Sequence, residues 1–189
     1  MKLLMHTCCA PCSIECIAAL REEGIEPTLF WFNPNIHPAE EYKLRRDTLK
    51  SYAASVGAEL VVEENYGLRE FVRRTSPDFA FGARCEICYE MRLSRTAAFA
   101  KEEGFDSFTT TLLVSPYQNR EKLLAAGEAA AAREGVAFLG YDFRPRFQRG
   151  QEKAAELGLY RQKYCGCIFS EEERFSNRAK KALRRGETW

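Results

Sequence analysis

Short apolar runs alternate along the chain with longer segments in which apolar residues recur every three or four positions. The short runs predict five β-strands, at Lys2–Thr7, Thr28–Phe32, Glu59–Glu63, Ser107–Val114 and Val136–Asp142. The longer segments predict helices near Ser13–Glu23, Ala39–Val56, Leu68–Thr75, Tyr89–Glu103 and Arg120–Arg133. Because strands and helices alternate, the pattern predicts βαβ units and a doubly wound, mostly parallel α/β sheet.

The chain from Arg144 onward has no strand pattern, so we expect short helices and loops there that cover the functional site. The length of 189 residues is typical of one domain, and no repeat or low-complexity linker divides it. We therefore expect a single domain over residues 1–189, with an α/β core at 1–143 and a helical C-terminal part at 144–189.

Charge changes this picture only near the C-terminus. The formal net charge is +1, but residues 142–189 contain twelve Lys and Arg against seven Asp and Glu. Six of these cations lie between Arg174 and Arg185. Such a basic end suits contact with phosphates, whereas a solvated terminal helix has the same composition, and both interpretations stay open.

The apolar run Met1–Met5 is too short for the core of a signal peptide, and no run approaches the roughly 20 residues of a membrane span. These features predict a cytoplasmic protein without a membrane partner. Cytoplasmic thiols stay reduced, so the eight cysteines indicate metal or redox chemistry rather than a disulfide scaffold.

Two groups of cysteines have the spacing of metal ligands. Cys8, Cys9 and Cys12 follow the first predicted strand, at the edge where open α/β sheets bind ligands. Cys85 and Cys88 have the two-residue spacer common to zinc, iron–sulfur and thiol-redox sites. Adjacent thiolates suit a four-iron cluster, in which each binds a different iron, whereas zinc needs four converging ligands. A zinc site built from the same cysteines remains the alternative.

The other cysteines are Cys16 and the pair Cys165 and Cys167. Cys16 lies one helical turn after Cys12 and is interpreted as a small buried apolar residue. Cys165 and Cys167 flank Gly166, and a disulfide between residues so close would be strained and therefore redox-active. Metal ligation or simple packing by this pair is the alternative.

Polar segments after the second and fourth predicted strands should border the same crevice as the cysteines. Their side chains could orient a polar substrate or satisfy their own turns, and they are Asn33, Asn35, His37 and Ser115. Tyr160, Arg161 and Tyr164 suit the stacking of a base and the binding of phosphate, although an ordinary amphipathic surface looks similar.

The loop His6–Cys12 contains no glycine, and its Pro11 lacks an N–H group. Loops that grip nucleotide phosphates need small residues and free N–H groups, so we expect no nucleotide cofactor.

Together these motifs resemble the QueH family of epoxyqueuosine reductases, the cobalamin-independent enzymes of tRNA queuosine biosynthesis. The resemblance is carried by His6–Cys12, Phe32–Pro38, Glu41–Tyr42, Cys85–Cys88, Thr110–Pro116 and Leu159–Cys167. It extends through about Phe169 and leaves only the basic tail outside. It implies a fold like the adenine nucleotide alpha hydrolases, which is Rossmann-like, with an iron–sulfur site in place of the nucleotide grip.

The family resemblance also implies roles for the cysteines. By this resemblance, Cys8, Cys9, Cys85 and Cys88 ligate a [4Fe-4S] cluster. The same resemblance implies that Cys165 and Cys167 form a redox-active disulfide. An additional mononuclear iron is implied beside the cluster, and Cys12 is a candidate ligand for it.

The implied reaction is the two-electron reduction of epoxyqueuosine to queuosine at the wobble position of tRNA, with electrons from an external donor. Two alternatives from other classes stay open. One is a zinc-containing, thiol-dependent tRNA-modifying enzyme, and the other is a non-catalytic zinc module.

Overall fold

A central sheet of five parallel strands organises the computed structural model, which describes residues 1–185. The strands are β1 Leu3–His6, β2 Pro27–Trp31, β3 Leu60–Val62, β4 Ser107–Thr110 and β5 Ala137–Phe138. Their order across the sheet is β3-β2-β1-β4-β5, and β1 pairs with β2 on one side and with β4 on the other. The predicted α/β class and parallel sheet are confirmed.

Seven α-helices surround the sheet within the described residues. They are α1 Ala10–Glu22, α2 Ala39–Ser55, α3 Leu68–Thr75, α4 Ala83–Glu102, α5 Arg120–Glu134, α6 Phe147–Glu156 and α7 Ile168–Arg184. Short 3₁₀ turns cover Thr111–Val114 and Arg144–Arg146. No helix within residues 1–185 is both long and apolar enough to cross a membrane.

The direction of strand addition reverses between β1 and β4. Because βαβ crossovers are right-handed, this reversal places α1 and α2 on one face of the sheet and α4 and α5 on the other. Contacts agree with this division, since α4 packs on α5 and α1 packs on α2 and α6. Such a reversal opens a crevice at the carboxyl ends of β1 and β4.

The core lies on both faces of the sheet. Leu4, Phe30 and Phe108, on three neighbouring strands, are fully buried. Parallel strands that are covered by helices on both sides need nearly continuous apolar side chains, which is why the strand runs were readable in the sequence.

Three elements differ most in length from the prediction, namely β4, α4 and β5. Strand β4 ends at Thr110 rather than Val114, because the Thr110 hydroxyl accepts a hydrogen bond from the Leu112 N–H and begins a 3₁₀ turn. Helix α4 begins at Ala83 rather than Tyr89, so Cys85 and Cys88 lie in its first two turns. Strand β5 covers only two residues.

The C-terminal part is helical, as predicted, but less fragmented. Helix α6 packs on α1, and α7 is 17 residues long rather than short. The final residues of the predicted C-terminal part, 186–189, lie outside the described residues.

Candidate active site

Three cysteine sulfurs converge at the carboxyl end of β1. Cys9 is the N-cap residue of α1 and is extended, and Pro11 stands in the first turn of that helix. Because the chain turns from strand to helix here, the sulfurs of Cys8, Cys9 and Cys12 all lie within 4.8 Å of one another, buried. The 3₁₀ turn that follows β4 contributes Thr111, whose hydroxyl accepts a hydrogen bond from the Cys8 N–H at 3.2 Å.

The three thiols share their protons unequally. Hydrogen bonds from Cys12 and Cys9 lower the pKa of Cys8 well below its ordinary value of 9.0. Burial raises the pKa of Cys9, and the bond to Cys8 raises the pKa of Cys12. This donor set suits a metal, because a cation binds thiolates and displaces the protons that the three sulfurs otherwise share.

The second cysteine pair is tied to a buried arginine. Arg92 lies one turn after Cys88 on α4 and donates from Nη2 to the Cys88 sulfur at 3.0 Å and from Nε to the Cys88 carbonyl at 3.2 Å. Only 4% of Arg92 is exposed, and among residues 1–185 no carboxylate forms an ion pair with it. Burial disfavours the charge of Arg92, yet the nearby sulfurs of Cys88 and Cys8 keep its pKa above the ordinary value.

The sulfurs of Cys85 and Cys88 do not belong to the convergent group of three. Burial raises the pKa of Cys88 to about 11, and the charge of Arg92 opposes this rise. The structure therefore brings Cys8, Cys9 and Cys12 together, and links Cys88 to them through the charge of Arg92 rather than by direct contact.

The third group, Cys165 and Cys167, has free thiols whose sulfurs lie 4.0 Å apart. Cys165 is exposed and Cys167 is buried. The Ser170 hydroxyl oxygen lies 3.0 Å from the first sulfur and 3.4 Å from the second. Hydrogen bonding by Cys167, supported by Ser170, lowers the pKa of Cys165 to about 5. Cys165 is therefore the reactive member of the pair at neutral pH.

A buried ion pair holds the Cys165 loop in place. Arg45 donates from Nε to Glu41 at 2.7 Å, and from its other nitrogens to the carbonyls of Cys165 at 3.2 Å and Tyr164 at 3.0 Å. The Tyr160 hydroxyl donates to the other Glu41 oxygen at 2.5 Å. Helix α2 thus fixes the backbone of a loop about 120 residues away in the sequence.

Gly166 allows this close approach. Its φ is +128°, and a Cβ there would lie 3.2 Å from both Arg45 Nη1 and Ile36 Cγ1. Its carbonyl accepts a hydrogen bond from the His37 N–H at 2.8 Å. The Tyr164 hydroxyl donates to the His37 carbonyl at 2.5 Å, so the two loops hold each other.

A cavity of about 560 Å³ connects the first and third cysteine groups, with Cys8, Cys12 and Cys165 in its walls. Three of the predicted substrate residues also line it, namely Ser115, Arg161 and Tyr164. A cavity of this size is in the range of ligand sites in proteins.

The four other predicted substrate residues, Asn33, Asn35, His37 and Tyr160, lie outside this lining. Asn33, Asn35 and His37 are buried, and Asn33 donates from its amide to the Thr7 carbonyl at 2.9 Å. His37 contacts the ring of Tyr66, and burial lowers the pKa of His37 to about 4. Cys16 is fully buried, as a small apolar residue would be. A substrate role for the two asparagines and His37 stays a prediction.

Several important residues were absent from the sequence-based prediction. Arg92 had an available signal, since it follows Cys88 by four residues on a helix and must share its face. Arg45 had none, because its partners in the Cys165 loop are distant in the sequence. Gln118 also lines the cavity, and its side-chain oxygen accepts a hydrogen bond from the Tyr89 hydroxyl at 2.6 Å.

A family model described as epoxyqueuosine reductase QueH matches residues 3–173. The epoxyqueuosine reductase QueH of Dehalococcoides mccartyi is 38% identical over 174 residues, covering 92% of this chain and 94% of that protein. The protein of the same name from Thermotoga maritima is 35% identical over 192 residues, covering 97% of both chains.

Among solved structures, a predicted subunit of tRNA methyltransferase from Methanocaldococcus jannaschii matches with a TM-score of 0.55. The match covers 82% of this chain and 75% of that one. Because the sequence identity is 14%, this likeness concerns the fold alone.

Proposed function

Since this chain belongs to the QueH family of epoxyqueuosine reductases, we propose that it reduces epoxyqueuosine to queuosine at the wobble position of tRNA. One observation carries the proposal beyond family membership. The buried thiols of Cys8 and Cys12 and the exposed thiol of Cys165 open into the same cavity of about 560 Å³. A reducing centre and a substrate can therefore meet there.

We propose that Cys8, Cys9, Cys85 and Cys88 hold a [4Fe-4S] cluster and that Cys12 binds an additional iron. The unequal sharing of protons among the first three thiols and the Arg92 hydrogen bond to the Cys88 sulfur support a metal centre at this edge of the sheet. When bound, the group supplies single electrons and a Lewis acid for the epoxide oxygen.

The chain's own residues bind and orient the substrate. Ser115, Gln118 and Arg161 present polar groups to the cavity. Gln162 donates from its side-chain nitrogen to the Cys12 sulfur at 3.6 Å, and both residues line the cavity. These side chains can bind the hydroxyl groups and the base of a modified nucleoside.

Cys165 and Cys167 form the proposed two-electron store. Their oxidation to a disulfide forms one S–S bond and releases two electrons and two protons. The epoxide takes up two electrons and two protons, loses its oxygen as water and becomes the cyclopentene. An external electron donor then returns the disulfide to two thiols. The sulfur separation of 4.0 Å, the lowered pKa of Cys165 and its exposure support this role.

The Lys and Arg residues of the C-terminal part are proposed to bind tRNA phosphates. On helix α7 these are Arg174, Arg178 and Lys181, which line a cavity that also contains Cys165 in its wall. Binding of the RNA should therefore weaken steeply as salt increases.

A zinc-dependent enzyme remains the second candidate, because the sulfurs of Cys8, Cys9 and Cys12 converge closely enough for a single ion. Purification without oxygen distinguishes the two. The proposal expects a brown protein containing iron and sulfide. Colourless protein with stoichiometric zinc would overturn the cluster assignment.

The ligand assignment can be tested with a double variant, C85A/C88A, and a matched control, C16A. Cys16 is fully buried on α1 but is not a proposed ligand. We expect the double variant to lose the iron and the visible absorption, and C16A to keep both. Conversion of epoxyqueuosine tRNA, measured by mass spectrometry of the nucleosides, tests the reaction directly, and wild-type protein that contains the cluster but leaves epoxyqueuosine unchanged would refute it.

A further inference from the structure

A second cavity, of about 610 Å³, opens beside the first. The two share four lining residues, which are Tyr117, Gln118, Tyr164 and Cys165. Its remaining walls come from Phe81, which precedes α4, from Cys85 in the first turn of α4, and from α7. Any molecule that fills the first cavity and extends past Cys165 therefore enters the second.

Two aromatic rings in the wall of this second cavity are unusually exposed. Tyr117 is 77% exposed and Phe81 is 74% exposed, the largest fractions among the large apolar side chains whose burial the structure describes. Tyr117 meets Phe147 only edge-on, with ring centroids 5.8 Å apart. The guanidinium carbon of Arg84 lies 5.7 Å from the Phe81 ring centroid. Exposed rings beside a groove are typical stacking surfaces for unpaired bases.

The charge of this surface favours a polyanion. Helix α7 contributes Arg174, Arg178 and Lys181 to the lining. The acidic residue of the lining, Glu173, accepts two hydrogen bonds from Arg84 at 2.7 and 2.8 Å. Arg84 offsets the Glu173 charge, so the cavity wall is positive overall and complements RNA phosphates.

Tyr160 and Tyr164 are the aromatic residues that the sequence suggested for stacking. Their side chains are less accessible to a base than those of Tyr117 and Phe81. The Tyr160 hydroxyl is bound to Glu41 and the Tyr164 hydroxyl to the His37 carbonyl. The Arg45 guanidinium lies 5.5 Å from the centre of the Tyr164 ring. Both tyrosines are only partly exposed and hold the Cys165 loop.

We infer that the second cavity holds the anticodon-loop nucleotides that flank the modified one, with the base next to it stacked on Tyr117 and the following base on Phe81. Lys181 and Arg174 bind the phosphates between them. This inference rests on the proposed function in one respect, that the substrate is tRNA. It adds the residues that hold the RNA outside the reacting nucleoside.

The test is the affinity for a fluorescently labelled anticodon stem-loop RNA that carries an unmodified wobble base. We expect Y117A and F81A each to weaken binding about tenfold, as truncation of a stacking ring does. Y117F keeps the ring and should bind as the wild type does. The control is L157A, because Leu157 is 59% exposed but lines neither cavity.

The contribution of charge is tested on α7 with two neighbouring lysines. Lys181 lines the cavity, whereas the exposed Lys180 does not. We expect K181Q to reduce the slope of log affinity against log salt concentration by about one. K180Q should change the slope much less. Equal slopes for the two variants would mean that α7 attracts RNA only diffusely, which contradicts a bound phosphate at Lys181.

Failure of this inference is distinguishable from failure of the proposed function. If wild-type protein converts epoxyqueuosine tRNA but Y117A and F81A bind RNA normally, the inference is wrong and the function stands. If these variants lose RNA affinity but the wild type converts nothing, the function is wrong and the RNA surface stands. If Y117A and F81A bind RNA normally but are reduced more slowly than the wild type by a protein electron donor, the surface binds that donor and the inference is overturned.

Discussion

The guanidinium of Arg92 lies 3.0 Å from the sulfur of Cys88, one turn away on α4, and only 4% of this arginine is exposed. A buried cation normally has an anionic partner, because an isolated charge is costly to remove from water. No carboxylate among residues 1–185 forms an ion pair with Arg92. The sulfur atoms of the site are therefore the natural partners of this charge.

Arg92→Gln should loosen the proposed metal centre. Outer partners of metal ligands typically contribute ten- to a hundredfold to metal affinity. An N–H group bound to sulfur also favours the more negative, reduced state, so the midpoint potential should fall. Arg92→Lys keeps the charge but loses the pair of hydrogen bonds to Cys88. Its iron affinity and midpoint potential should therefore lie between those of the wild type and those of Arg92→Gln. Iron retention against a chelator and a redox titration measure both effects.

The control for Arg92 is Arg95→Gln, which removes an arginine three residues later on the same helix. Arg95 pairs with Glu63 and Glu102 near the surface and should leave iron retention unchanged. If Arg92→Gln retains iron and potential like the wild type, Arg92 has only a structural role.

Gly166→Ala should disturb the Cys165 loop. The added Cβ meets Arg45 and Ile36 at 3.2 Å, and the φ of +128° is strained for any side chain. We expect the free energy of unfolding to fall by about 1–3 kcal/mol, measured by chemical denaturation. Reaction of Cys165 with a thiol reagent should change in parallel.

Gly158→Ala separates backbone strain from the contact with Arg45. Gly158 has a φ of +63°, and a Cβ there meets no atom within 4 Å. The free energy of unfolding of this variant should fall by only about 1 kcal/mol, and Cys165 should keep its wild-type reactivity. Equal unfolding free energies and equal Cys165 reactivities in the two alanine variants would argue that the close contact of Gly166 with Arg45 has no role.

The alkylation of Cys165 should depend on pH with a midpoint near 5, because hydrogen bonding by Cys167 lowers its pKa to about this value. The thiolate is the reactive form, so the rate should be nearly constant from pH 6 to 8. Cys167→Ser should move the midpoint upward, since it removes the largest stabilising contact, and Ser170→Ala should move it less. Iodoacetamide rates followed by mass spectrometry of the modified peptide provide the measurement, and a wild-type midpoint near 9 would contradict the assignment.

Acid should destabilise the protein through its two buried histidines. Burial, with the charge of Arg92, lowers the pKa of His6 to about 3, and burial lowers the pKa of His37 to about 4, from an ordinary value of 6.5. Between pH 6.5 and 4 the unfolded chain therefore binds more protons than the folded one. The stability that the two neutral histidines contribute is fully present above pH 6.5 and is lost as the pH falls through this window.

Urea denaturation of the wild type and of His37→Gln at several pH values measures this contribution. The difference in unfolding free energy between the two proteins should be constant above pH 6.5. It should then change by up to about 3 kcal/mol toward pH 4. A difference that is independent of pH would show that His37 does not titrate in this range.

The sequence by itself determined the class of fold and the positions of the cysteine groups. Parallel strands that helices cover on both faces must be apolar along most of their length, so the strand runs were visible as composition. The turn from β1 into α1 explains why adjacent Cys8 and Cys9 can face one ligand, and this too follows from local sequence. The start of α4 at Ala83 was not visible, because its N-cap residue, Gly82, provides no side-chain hydrogen bond.

Only the tertiary structure decided which polar residues face the cavity. Asn33 and His37 follow a strand end, as cavity residues do, yet both are buried, and the His37 backbone helps to hold the Cys165 loop. Arg45 reaches that loop across 120 positions of sequence, and Arg92 is buried with its charge directed at Cys88. Local sequence patterns indicate strands and helices because each needs particular residue types. The environment of a side chain, in contrast, depends on segments that meet only when the chain is folded.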